Sequence, residues 1–452
     1  MAPWRTLITA VHPHPSVKIN HGATFMVTDR YGAIPVGSEG EFGLYSSDTR
    51  YLSRHELRIN GRRPDSVASV RLSYRHARWH MIADNIAGPG GDMREARVAV
   101  TIDRLINLHQ MHEDVSLHTY ARGPVTVLLE IALESDFADL FEVRYRSWQR
   151  RADLNTWWRG PNCLESRYQN GDFVRRCVIR ILKEEAGVTY ANGALRIPVD
   201  LEPGKEWSMC LQYDLLTSDD QAPDLAGRCA FDPEEPDPMR QARSWQLSVS
   251  QVEPSDLRLQ FAYRRAVEDL AALRLHEQET MSERWMPAAG LPWFMALFGR
   301  DSLIASLQAM VVQPTAAIGT LENLARWQSE GDDPERDAEP GKIPHELRVG
   351  EWRKSRDAGV EKENVETSVL ARDGLEELRD FALVGGVGFD DFDRSVELLA
   401  RGFERFGISS GDDDLCAFFG EAFCGGESDS GGAAGDECDF VFQSLSHFAI
   451  SV

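Results

Sequence analysis

The residue types best suited to chemistry fall in two short stretches. LPWFMALFGRDSLIASLQAM, residues 291–310, sets Arg300 and Asp301 side by side after a glycine, within an otherwise apolar run. Further along, DDPERDAEPGKIPHELRVGEW, residues 332–352, gathers carboxylates with Lys342, His345 and Arg348 in a loop containing Pro and Gly. Charged groups at the start of a buried helix can project into whatever cavity the helix ends surround. Glu346 stands among apolar Ile343 and Leu347, and partial burial there would suit it to general-acid work. Plainer readings exist for both stretches. Asp301 can cap its helix with Arg300 as ion partner, and the later loop can be a solvated charged turn. Spacing alone leaves both open.

Elements that would position these residues follow from periodicity. Leu303, Ile304, Leu307, Met310 and Val311 cover most of a helical circumference, predicting a buried helix over Ser302–Val312. Pro314 suits the first turn of the next helix, TAAIGTLENLARWQSEG. An earlier helix is expected from Ser255, a plausible N-cap, and later ones over Val365–Leu383 and Phe392–Gly407. The first half has the strand period instead: Val98, Val100 and Ile102 alternate with other residues, as do Val125, Val127, Leu129, Ile131 and Leu133. Asn192-Gly193 predicts a hairpin and Pro203-Gly204 a second turn. The expected order is an antiparallel β-sandwich over 1–216, a Pro-rich linker over 217–254, a helical domain over 255–410, and an acidic Gly/Ser-rich tail over 411–452. The stretch 411–440 holds nine acidic residues and no Lys or Arg, a composition ill suited to a packed core.

The formal charge of −23, from 72 acidic and 49 basic residues, argues against nucleic acid or anionic lipid as the main partner. It leaves neutral sugars open. Seven scattered cysteines without C-x-x-C read as reduced thiols, and no leader or membrane span is evident, so a cytoplasmic protein is expected. His12 and His14, and His109 and His112, are read as structural, because H-x-x-H on a strand turns its rings to opposite faces. No metal or other cofactor is expected.

The segment 291–310 resembles the Pro-Trp-Phe-x-x-x-Phe-Gly-Arg-Asp-Ser segment of bacterial amylo-alpha-1,6-glucosidases, the glycogen-debranching-like proteins. EPGKIPHELRVGE is similar to their Glu-Pro-Gly-Lys-Ile-x-His-Glu-x-Arg segment. Upstream, GATFMVTDRYGAI, GLYSSDTRYLSRHELRINGRRP and ESDFADLFEVR resemble three segments of that family's N-terminal domain. The likeness runs in order over about residues 20–355. It implies a β-sandwich leading into an (α/α)6 toroid, and an α-glucan or oligosaccharide substrate. It implies that Arg300 and Asp301 hold the nonreducing glucose, with Trp293, His345 and Arg348 beside it. Hydrolysis of an α-1,6 branch with inversion is the reaction implied, and Glu346 and Asp301 are the candidate catalytic carboxylates that this chain offers. The two carboxyl groups of such a mechanism stand about 6.5–9.5 Å apart.

After Trp352 the family pattern Tyr-Tyr-Gly-x-x-Asp-x-Thr, whose aspartate the resemblance implies as general acid with the second carboxylate late in the toroid, does not appear; Asp357 and Asp373 lie nearby outside any motif. The helices expected after Ser255 are too few for a twelve-helix ring, so a partial toroid is expected, its open face covered by self-association. Asp136 and Asp139 are expected to orient a strand end. The rival reading is a catalytically incomplete carbohydrate-binding or interaction protein on the same scaffold.

Overall fold

Alternating apolar residues in the first half do form strands. The computed structural model describes residues 16–37, 40–86, 96–146, 152–160, 162–182, 187–219, 240–275, 284–334 and 338–351. These divide into two compact units. The first comprises the described residues of Met1–Ser248, Val252–Ala272 and Val349–Arg356, and the second those of Val249–Gln251 and Leu273–Arg348.

In the first unit the strands are β1 (Ser16–His21), β2 (Thr24–Asp29), β3 (Gly43–Ser46), β4 (Thr49–Leu52), β5 (Arg54–Ile59) and β6 (Asp65–Ser73). They continue as β7 (His76–Ile86), β8 (Ala96–Asn107), β9 (Gln110–Thr119) and β10 (Val125–Glu134). After helix α1 (Leu140–Tyr145) come β11 (Leu154–Arg159), β12 (Cys163–Asn170), β13 (Phe173–Ile181), β14 (Thr189–Ala191), β15 (Ala194–Leu201) and β16 (Glu206–Leu216). All pairings are antiparallel. An eight-stranded sheet in the order β11-β12-β13-β16-β9-β8-β7-β6 is layered against two four-stranded sheets, β1-β2-β3-β4 and β14-β15-β10-β5. The alternating residues of β8 and β10 point into this core, with Val98, Val100, Leu129 and Ile131 fully buried. The hairpin expected at Asn192-Gly193 joins β14 to β15, and both residues have positive φ (53° and 72°), as a type I′ turn demands. Gly204 has φ 77° and Lys205 N–H donates to the Glu202 carbonyl, closing the turn before β16.

Two helices complete this unit, α2 (Arg240–Ser248) and α3 (Leu257–Ala272). α2 occupies part of the stretch read as linker, and Trp245 donates from Nε1 to the Val267 carbonyl of α3 at 3.0 Å. Asp256, rather than Ser255, accepts from a first-turn amide, that of Arg258, at 2.8 Å.

The second unit contains the short ladders β17 (Arg274–Leu275) with β18 (Met286–Pro287), and β19 (Leu297–Phe298) with β20 (Glu346–Leu347). Its helices are α4 (Gly299–Ala309) and α5 (Thr315–Arg326), the latter preceded by Pro314 as expected. α4 differs from expectation twice. It starts three residues earlier than Ser302, because Gly299 N–H is taken by the His345 carbonyl and the chain turns helical directly from β19. It also buries small residues, Gly299, Ser302, Ser306 and Ala309, while Ile304 and Val311 are exposed. Small residues let α4 approach α5 closely: the Ser306 and Thr320 hydroxyls are 2.6 Å apart, and Ser302 Oγ donates to the Pro287 carbonyl. Of the predicted helical domain, the described part thus holds α3, α4 and α5. The expected helices Val365–Leu383 and Phe392–Gly407, Asp357, Asp373, the acidic tail, and His12 and His14 all lie outside the described residues. No described helix is long and apolar enough to cross a membrane.

Candidate functional site

The two motif stretches meet in the second unit. β19 and β20 pair antiparallel, Leu297 opposite Leu347 and Phe298 opposite Glu346. The ladder continues through the 2.9 Å bond from Gly299 N–H to the His345 carbonyl. A cross-strand pair brings opposed residues within side-chain reach, so His345 and Glu346 flank the point where α4 begins. Gly299 makes this closeness possible: a Cβ there would stand 2.4 Å from the Pro344 carbonyl oxygen. Arg300 and Asp301 follow in the first turn.

Arg348 organises the inner side of this junction. Its guanidinium is buried, donates from Nε to Glu346 Oε2 at 3.0 Å and from Nη2 to the Trp293 carbonyl at 2.9 Å, and lies 5.2 Å from the Phe298 ring centroid. The planar, five-donor guanidinium is suited to such simultaneous demands. His345 meets Phe298 edge to face, with centroids 5.9 Å apart. Trp293, His345 and Glu346 are partly buried.

Arg300 and Asp301 are both exposed. The expectation of a charged pair in an oily helix mouth is therefore corrected: the buried stripe of α4 runs through Gly299, Ser302 and Ser306, and Arg300 and Asp301 fall on the exposed side of its first turn. Asp301 is not the cap either. The N-cap position is Phe298, which makes no side-chain cap bond, and Asp301 lies inside the first turn, where its charge complements the helix dipole.

A second cluster, in the first unit, was missed as a cluster although its segments had been singled out. Asp48 and Asp139 belong to GLYSSDTRYLS and ESDFADLFEVR, and they meet the end of the KIPHELRVGE stretch. Leu140 N–H donates to the Asp48 carbonyl and Arg50 N–H to the Ala138 carbonyl, both at 2.9 Å. Val349 N–H donates to Asp48 Oδ2, and Arg175 Nη2 donates to the Val349 carbonyl, again at 2.9 Å. Glu351, 4% exposed, accepts from the Tyr168 hydroxyl at 2.9 Å and from Asn170 Nδ2 at 2.6 Å. Burial lowers the pKa of Arg175, and Tyr51, Asp48, Asp139 and Glu351 act against that. Asp139 caps α1 through a capping box with Glu142. Ser47 and Asp48 both have positive φ (50° and 59°), a strained pairing that aims the Asp48 carboxylate at Val349. Asp136, expected to orient a strand end, holds Arg50 through bonds of 2.5 to 3.2 Å.

Of the two histidine pairs, His109 is hydrogen-bonded through Nδ1 to Ser46 Oγ at 2.9 Å, at the turn between β8 and β9. Among the described residues no group of three or more His, Cys, Asp and Glu could hold a metal ion.

Residues 19–212 match the family described as the N-terminal domain of (some) glycogen debranching enzymes. No curated protein matches the chain. Among solved structures it is similar to a kojibiose phosphorylase from the human microbiome (10% identity, TM-score 0.48, covering 74% of this chain and 49% of that one). It is also similar to a bacterial glucoamylase in complex with acarbose (9% identity, TM-score 0.41, 74% and 53%). A GalM/aldose epimerase homologue from C. elegans is covered completely, by 45% of this chain (10% identity, TM-score 0.25). The chain thus spans about half the length of the phosphorylase and glucoamylase structures.

Proposed function

We propose that this is a carbohydrate-active protein of the glycogen-debranching type, acting on α-1,6-branched glucans at the junction of β19, β20 and α4. One observation carries the reading. The FGRDS and HELR stretches, distant in sequence, are hydrogen-bonded side by side, so that Glu346 stands opposite the residue preceding Gly299, Arg300 and Asp301. The debranching-enzyme domain over residues 19–212 supports the substrate class. In this reading the exposed Arg300 and Asp301 grip adjacent hydroxyls of a nonreducing glucose, the guanidinium donating and the carboxylate accepting. Trp293 and His345 flank the ring. Asp301 and Glu346 are the carboxylates available to an inverting hydrolysis, within a toroidal domain that α4 and α5 begin.

The second reading, a binding protein without turnover, has its own support. One oxygen of Glu346 is already occupied by Arg348, as in an ion pair that maintains shape rather than one that moves protons. One experiment separates the two: incubation of the full chain with a branched α-1,6 limit dextrin, with assay of free glucose. Release that disappears in Asp301→Ala supports hydrolysis. Binding of maltooligosaccharide without release supports the second reading. Unchanged release and affinity in Asp301→Ala would remove the sugar-binding role of the pair.

A further inference from the structure

The sandwich holds a cavity of about 420 Å³ where its three sheets converge. Leu52 comes from β4, Leu133 from β10, Leu164 from β12 and Ile179 from β13, and these make an apolar floor. The remaining wall is polar. Arg50 and Asp136 face it as an ion pair, and Glu134, paired with Arg54 at 2.6 Å, stands at the rim. Thr156 and Ser166 present hydroxyls 3.0 Å apart. Tyr190 closes one side, its ring stacked on Trp158 at 6.3 Å between centroids with planes 21° apart.

We propose that this cavity is a saccharide-binding site, one that takes a short α-glucan segment using residues of the sandwich alone. The charges in the wall are paired, so an ionic ligand would find no uncompensated partner, whereas a neutral polyol meets both donors and acceptors. An apolar floor opposite hydroxyls and carboxylates matches a sugar ring, which has C–H faces and a hydroxyl rim. The stacked Tyr190–Trp158 pair supplies a rigid aromatic wall at small entropic cost. The volume lies within the ~300–1,000 Å³ typical of small-molecule sites. Tyr190 senses the enclosure: burial, then the charge of Glu134, raises its phenol pKa. The choice of α-glucan rests on the function proposed above; the site itself rests on the cavity.

Isothermal titration of the full chain with maltotriose, repeated on variants, tests this. Thr156→Trp would fill the mouth from an exposed position, and Tyr190→Ala would remove the aromatic wall. Affinity should fall at least tenfold in each, with thermal midpoints close to that of the unsubstituted chain. The double substitution Arg300→Ala with Asp301→Ala should leave this binding event intact. Unchanged affinity in both Thr156→Trp and Tyr190→Ala would overturn the proposal, as would absence of binding to the Arg300/Asp301 double variant. The latter result leaves the function proposed for the second unit standing. Conversely, binding that survives the double variant and is lost in Tyr190→Ala upholds the cavity whether or not that function holds.

Discussion

The backbone N–H of Val349 donates to Asp48 Oδ2 at 2.9 Å, joining positions 301 residues apart in the chain. Around that bond Asp139, Arg175, Tyr168, Asn170 and Glu351 settle one another's charges and lone pairs, with Asp48, Asp139, Tyr168, Arg175 and Glu351 all buried. Such a cluster costs free energy if any member is left unpaired and specifies one chain path when all are satisfied. Its work is therefore positional: it fixes where the stretch leading out of the HELR loop runs within the first unit.

Gly350 should tolerate no side chain. A Cβ there would lie 2.2 Å from Asp139 Oδ2 and 3.1 Å from the Asp48 Cβ, and Asp139 cannot retreat because it caps α1. Overpacking of this kind destabilises by about 1–3 kcal/mol. Gly350→Ala should lower the urea midpoint accordingly, and a variant with the wild-type midpoint would contradict the crowding described.

Glu351→Ala should cost about as much, ~1–3 kcal/mol, because the Tyr168 hydroxyl and the Asn170 amide lose a buried acceptor. Tyr168→Phe removes the donor in place of the acceptor and should cost less. A double-mutant cycle on the two should show a coupling of roughly 0.5–3 kcal/mol. Additive losses would mean that the 2.9 Å contact carries no energy.

Acid should destabilise the sandwich in two stages, through the fully buried group of His55, Glu113, Arg104 and Tyr213. Arg104 Nη2 donates to His55 Nδ1 at 3.0 Å, which leaves the proton on Nε2, facing Glu113 Oε1 at 3.1 Å. Burial lowers the pKa of His55; nearby Arg104 lowers it further while Glu113 resists. Burial is the largest influence on Glu113 and would raise its pKa, but the charges and hydrogen bonds of Arg104, 2.5 Å away, and His55 together outweigh it and hold the carboxyl at about 2. Both groups bind protons less readily folded than unfolded, so stability rises with pH across their windows. Stability should begin to fall as pH drops below about 6.5, where an unfolded histidine takes up a proton. A further ~3 kcal/mol should go between about pH 4.5 and 2 as Glu113 loses its advantage. His55→Gln should remove the first stage and shrink the second, because His55 also helps hold the Glu113 carboxyl down, as followed by denaturant midpoints across pH. A flat profile from pH 7 to 5 in the unsubstituted chain would contradict the His55 assignment.

The sandwich was legible in sequence because period-two alternation reports directly on a half-buried sheet, as in β8 and β10, and because Asn192-Gly193 has few backbone options beyond a tight hairpin. Sheet order was not legible: β9 lies between β8 and β16 through pairing separated by about a hundred residues, as with His112 opposite Gln212, and periodicity says nothing of such partners. α4 misled for a different reason. Leu303, Ile304 and Val311 suggested the buried side, yet close packing on α5 needs small groups, and Gly299, Ser302 and Ser306 form the buried stripe instead. The adjacency of the GRDS and HELR stretches came from resemblance alone, since nothing in either segment's own pattern announces a ladder of two residues per strand. The Asp48–Glu351 cluster was only partly within reach of the same resemblance: three of its segments supply Asp48, Asp139, Val349 and Glu351, but Tyr168, Asn170 and Arg175 lie outside them, and charge type does not reveal who meets whom.

Arg348 offers the sharpest test of how the junction is built. Its guanidinium reaches Glu346, the Trp293 carbonyl and the Phe298 face at once, and lysine can satisfy only part of that set. Arg348→Lys should therefore behave much like Arg348→Ala, each destabilising by about 1–3 kcal/mol through the buried carbonyl and carboxylate left without a donor. The loss should be local, so hydrogen exchange at the Gly299 amide, bonded to the His345 carbonyl, should speed up ahead of exchange in β8 and β10. Because Arg348 is engaged within the protein, its removal should weaken the saccharide binding proposed for this junction, though not that proposed for the sandwich cavity, by disordering Glu346 and Trp293, and Arg348→Lys should share that loss. Full affinity at the junction in Arg348→Lys, together with unchanged exchange at Gly299, would show that the ladder holds its shape without the guanidinium.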